Sequence, residues 1–141
     1  MTPTPYAYWP VQRIDLPVDG KVMHARILGN RPTRPVLHQL IDEKADDVTP
    51  VATTHTFTVN GQQVRAYSTL KGVGLWDEAH ELILDCGNRR TLWQDEPIPI
   101  AIDDDFPSMP PGPNTFAATI APKTNVKKYS QYVAYTPRWL I

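Results

Sequence analysis

Cysteine is nearly missing from this chain: Cys86 stands alone, so no internal disulfide can form and a reducing compartment is expected. Long apolar runs are missing too. None approaches the roughly 18 residues of a membrane span, and the start MTPTPYAYWP has neither the basic nor the apolar part of a secretion signal. A soluble protein in a virion or a host cytoplasm is the expected setting. Excess charge is small, −1 overall, which gives no global attraction to nucleic acid or to an anionic membrane. Motifs that fix a reaction are lacking as well. There is no HExxH, no paired cysteine, no GxSxG elbow, and Gly72 and Gly74 in KGVGLW lack the lysine and hydroxyl residue of a phosphate loop.

What the chain has in excess is proline, 15 of 141 residues, about twice the usual share of roughly 5%. Proline removes a backbone donor and breaks helices, so short strands between turns are expected over long helices. The strongest local signal is THTFTVNGQQVRAY, Thr54 to Tyr67, where strict alternation runs into Asn60-Gly61, the preferred pair of a two-residue hairpin turn. That turn sets Val59 opposite Gln62, Phe57 opposite Val64 and His55 opposite Ala66, with the apolar residues on one face. Pro10–Leu16, Lys21–Leu28 and Val36–Asp42 read as strands of an antiparallel meander. Leu82–Asp85, Ile98–Ile102, Thr115–Ile120 and Tyr129–Tyr135 read as further short strands. Leu75, Ala79, Leu82 and Ile83 also fit a helical face, so WDEAHELI is open to either assignment. The fold class expected is mainly β, a small antiparallel sandwich or barrel with extended proline-rich termini and at most one short helix.

Chemistry is sparse. His24, His38, His55 and His80 are scattered over different elements; His55, on the apolar hairpin face, is read as a hydrogen-bonded core histidine. His24 and His38, on consecutive strands, are able to approach one another. Cys86 in LDCGN reads as a structural thiol beside a turn. Asp103-Asp104-Asp105 lacks the alternate spacing and glycine of a calcium loop. No catalytic residue, metal or cofactor is expected. The segment KTNVKKYSQYVAYTPRWL interleaves Lys123, Lys127, Lys128 and Arg138 with tyrosines, yet the acidic residues upstream oppose a phosphate track, so nucleic acid is not an expected partner. Asp95, Glu96 and Asp103 to Asp105 form an acidic stretch that is able to attract this basic tail, within one chain or between subunits.

Three segments suggest contact with neighbours. The arms 1–10 and 136–141 carry Tyr6, Tyr8, Trp9, Trp139, Leu140 and Ile141, residue types that anchor interfaces. Between Asp103 and Asn114 a stiff, proline-rich strap offers Phe106 and Met109 as apolar anchors. In style the chain resembles accessory proteins of tailed-phage virions, of the head-decoration or head-tail connector kind. The run Ile14 to His24, then Val36 to Asp42 and Thr56 to Val59, is similar to a small phage-encoded β family of unassigned function. The resemblance implies a virion component that binds neighbouring protein subunits, as a homo-oligomer or within a larger assembly and away from membranes. The alternative is a soluble protein capturing a nucleotide-like ligand or a host protein, with Arg65, Tyr67, Arg89 and Arg90 lining the pocket.

Overall fold

The alternating segments of the sequence become strands in the computed structural model, which describes residues 10–44, 52–69, 80–94, 96–123 and 126–140. Ten strands follow in chain order: β1 (Gln12–Leu16), β2 (Met23–Ile27), β3 (Val36–Lys44), β4 (Ala52–Val59), β5 (Gln62–Thr69), β6 (His80–Asp85), β7 (Arg90–Trp93), β8 (Glu96–Pro97), β9 (Gly112–Ala121) and β10 (Val126–Tyr135). They form two antiparallel sheets packed face to face. One has six strands in the order β1-β10-β3-β6-β7-β8, the other four in the order β2-β9-β4-β5. The result is a sandwich, not a closed barrel, and no α-helix occurs among the described residues.

The β4–β5 hairpin has the register its sequence dictates, with His55 opposite Ala66, Phe57 opposite Val64 and Val59 opposite Gln62. Asn60 and Gly61 both take positive φ, 51° and 83°, the left-handed pair that matches the twist of the flanking strands. Inward residues then alternate along every central strand. Phe57, Leu37, Leu84, Phe116 and Val133 are at most 1% exposed and share one core with Val59, Val64, Ala118 and Tyr135.

Two expectations are corrected. The first three strands make no meander: β1 pairs β10, β2 pairs β9, and β3 lies between β10 and β6. The link Pro17 to Val22 is an arch that carries the chain from one sheet to the other, not a tight hairpin, so consecutive strands become neighbours across the core. Leu82 and Ile83 are not on a helical face. They alternate on β6, where Leu82 is buried and Ile83 faces outward, while Leu75 and Ala79 lie outside the described residues.

Candidate binding surface

The strap expected to reach a neighbour docks on its own chain. Met109 exchanges two backbone hydrogen bonds with Thr33, at 3.0 and 2.7 Å, and its side chain is fully buried; Phe106 is 8% exposed and belongs to the same core. An apolar anchor on a stiff backbone gains most where water is already excluded, and here that place is the core of this sandwich. Asp104 takes up Arg65. The carboxylate accepts from the Arg65 backbone N–H at 2.7 Å and from Nε and a terminal nitrogen at 3.1 and 3.0 Å, which holds the Asp104 carboxyl below and the Arg65 guanidinium above their ordinary ranges. Asp105 accepts from the N–H of Phe106.

The C-terminal segment also folds back. Asn30 and Leu140 exchange two hydrogen bonds, side-chain amide to backbone, at 3.0 and 2.7 Å, and Arg138 O accepts from Asn30 N and Arg31 N. Trp139 is half-buried and Leu140 is exposed, both at the surface beside Gly29. Tyr6, Tyr8, Trp9 and Ile141 lie outside the described residues. Of the proposed ligand residues, Arg89 and Arg90 line a cavity of about 240 Å³ with Ile98, Ile100 and Phe106; Arg65 and Tyr67 are not among its walls. The structure does not bring the four together in one pocket. Nor does it join His24 and His38, which stand on different sheets.

Inside the sandwich a polar chain crosses between the sheets. Gln131 Nε2 donates to the carbonyls of Pro17 and Ala118 at 2.8 and 2.9 Å. Carbonyls only accept, so this fixes the amide and leaves Gln131 Oε1 to accept from Gln39 Nε2 at 2.9 Å. Gln39 Oε1 then faces His55 Nδ1 at 2.9 Å, which makes Nδ1 the protonated nitrogen and Nε2 the acceptor of the Ser68 hydroxyl at 2.6 Å. The hydroxyl-imidazole-amide order is that of a nucleophile and its base. Its burial argues for structure instead: His55 and Gln39 are 0% exposed, Ser68 and Gln131 3%. Burial also lowers the His55 pKa to about 4. His55 is thus the hydrogen-bonded core histidine that its position on the apolar face suggested. Cys86, likewise fully buried, has its thiol pushed up to about 12 by burial, as suits a structural thiol.

The surface with unused binding groups is the rim of β2 and β9. Alternation in KVMHARIL turns Met23, Ala25 and Ile27 toward the core and leaves His24 and Arg26 exposed on the outer face. One hollow of about 330 Å³ is walled by His24, Ala25, Arg26, Asn60, Pro113, Asn114 and Thr115. A second, of about 270 Å³, is walled by Arg26, Ile27, Leu28, Gly29, Pro111, Gly112 and Trp139. Arg26 is common to both, so they adjoin at its side chain. The walls contain no acid. The far wall is stiff, because Asn60 donates to Asn114 Oδ1 at 2.7 Å and accepts from Thr115 N at 2.8 Å, while Asn114 donates to two carbonyls of its own strand approach. Neither His24 nor Arg26 has a hydrogen-bond or ion-pair partner among the described residues. Such a rim fits an anionic group at Arg26 with apolar or aromatic matter against Leu28 and Trp139. Arg26 escaped notice in the sequence because nothing but alternation marks it.

The two sheets have four edges between them. β8 is two residues long and ends in proline, which blunts it. The β5 edge is braced by residues 99–101: Tyr67 N donates to Pro99 O at 3.0 Å and Ala101 N to Arg65 O at 2.9 Å. Among the described residues, β1 and β2 each pair on one side only, with β10 and β9, and their inner residues Ile14, Met23 and Ala25 are half-buried where central strands bury theirs fully. Val11, Val18, Val22 and Leu28, four of the exposed large apolar residues, flank these two strands in sequence, and Leu140 is tied to Asn30 close by. Compared with known proteins, the chain matches no family model, no curated protein and no solved structure.

Proposed function

We propose that the chain is a non-enzymatic interaction protein, a structural subunit that joins neighbouring protein subunits through its β1–β2 side. One observation carries the reading: among the described residues, two of the four sheet edges are closed and the other two, β1 and β2, are left open, with exposed valine and leucine side chains flanking both strands in sequence. Open edges offer backbone hydrogen bonds to an added strand, and contiguous exposed apolar residues mark contact surfaces. At β2 the charge adds a preference. His24 and Arg26, with no acid in the adjoining hollows, favour a partner strand that carries carboxylates. The particle in which this takes place, a phage virion with the chain as a decoration or connector protein, is drawn from the resemblance in the sequence.

A second reading has its own observation. Trp139 at one end of the Arg26 rim and His24 at the other suit a nucleotide-like anion, with a base against the indole and phosphate at the guanidinium. Sedimentation of a native lysate separates the two. The structural reading expects the chain in a fast-sedimenting particle fraction and expects Arg26→Glu to shift it to the free fraction with no change in circular dichroism. Wild-type chain found only as a free small species defeats that reading. A rise in melting temperature with nucleotides, abolished by Arg26→Glu, then establishes the other.

A further inference from the structure

β1 has the charge pattern of a strand that pairs with itself. Its outer face carries Arg13 and Asp15 on either side of Ile14, and both side chains are well exposed, 60% and 77%. In the single chain Arg13 is engaged on its own side: its Nε lies 2.8 Å from Asp15, and its guanidinium sits 3.9 Å above the ring of Tyr132 on β10, so facing a second copy takes a change of rotamer. Nothing among the described residues pairs with the free side of β1. Pro10 and Pro17 bracket the strand and limit a new ladder to its five residues.

We infer that β1 pairs antiparallel with β1 of a second copy about a two-fold axis at Ile14, so that two six-stranded sheets join edge to edge. The inference rests on the interaction-protein reading and names one of its partners. Register follows from face and charge. With Ile14 opposite Ile14 of the second copy, Arg13 faces Asp15 of the second copy and Asp15 faces its Arg13, while the half-buried Ile14 side chains meet on the core side. A slip of one residue turns the core face of one sheet toward water. A shift of the axis to residue 13 or 15 sets like charges against each other. One register therefore satisfies both sheets, and it closes on itself as a dimer instead of propagating.

Swapped charges test this register. Sedimentation equilibrium of the full chain, from micromolar to millimolar concentration, is expected to show a dimer. Arg13→Asp alone, or Asp15→Arg alone, puts like charges opposite each other twice and weakens the dimer by at least about tenfold. Mixing the two variants restores opposite charges at both positions, so the mixture dimerises although neither component does. In a mixture of Arg13→Asp with Glu96→Arg, a charge reversal on the blunted β8 edge, the Glu96→Arg component still pairs with itself through its unchanged β1, and Arg13→Asp is not recruited. Protection of the β1 backbone amides from hydrogen exchange rises with wild-type concentration. A monomer throughout the range, single variants that dimerise like wild type, or a mixture that stays dissociated each overturns the inference. None of these outcomes touches Arg26, so release of the Arg26→Glu variant from a particle tests the proposed function independently.

Discussion

His55 shows what one buried side chain contributes to acid sensitivity. It is neutral in the fold with a pKa of about 4, against 6.5 for an exposed histidine. Between those values the unfolded chain binds more protons than the folded one, so stability rises with pH across the window and is lost as pH falls through it. The loss attributable to His55 is about 2 kcal/mol by about pH 5 and about 3 kcal/mol by about pH 4. Urea unfolding at neutral pH and at about pH 5 measures it. His55→Gln keeps a polar side chain between Ser68 and Gln39 but cannot titrate, so its unfolding free energy declines less over the same interval; an equal decline assigns the acid sensitivity to other groups. Alternation alone placed His55 on the core face. Its partners Ser68 and Gln39, and Gln131 behind Gln39, were not legible, because they lie on three other strands and no local pattern links them.

Short-range chemistry decides which elements the sequence reveals. The β4–β5 hairpin is written in residues 54–67, since a two-residue turn sets every cross-strand pair. The strap and the C-terminal segment are decided by distant contacts. Prolines announce stiffness but not where a stiff segment lies, and the partners here, Thr33 for Met109 and Asn30 for Leu140, come from the turn-forming stretch Gly29 to Pro35, whose residues mark a turn but not what docks on it. Gly29 makes that docking possible. Its φ is +119°, and a methyl group there meets Arg138 O at 2.7 Å. Gly29→Ala thus strains the backbone and collides with the returning chain, at a cost of about 1–3 kcal/mol if the segment stays docked. The cheaper response is release of residues 136–140. Hydrogen exchange at Asn30 and Arg31, whose N–H groups donate to Arg138 O, should accelerate strongly, while the amides of β4 keep their protection. Unchanged exchange at Asn30 and Arg31 counts against this role for Gly29.

At the scale of the whole molecule, the decisive property is how each sheet ends. The same composition makes closed and open edges: Pro97 stops β8, Pro99 and Ala101 brace β5, while Pro10 and Pro17 only delimit β1. If the brace is what keeps β5 from pairing with other chains, then removing it should open a third edge. Ala101→Pro deletes the N–H that donates to Arg65 O and lifts the segment that Asp104 pins beside it. The exposed strand, QQVRAYST, is rich in β-forming residues and has Val64 and Ala66 on its buried face. Ala101→Pro is therefore expected to lose protection at the Tyr67 amide and to aggregate with time, seen as light scattering that grows with concentration. On the β1 pairing inferred above, that contact closes on itself, whereas an unbraced β5 gives each copy a further edge from which chains can extend. Loss of Tyr67 protection without growth in scattering means that the brace is a local clamp and that the charged outer face of β5, with Arg65 freed, is enough to keep copies apart.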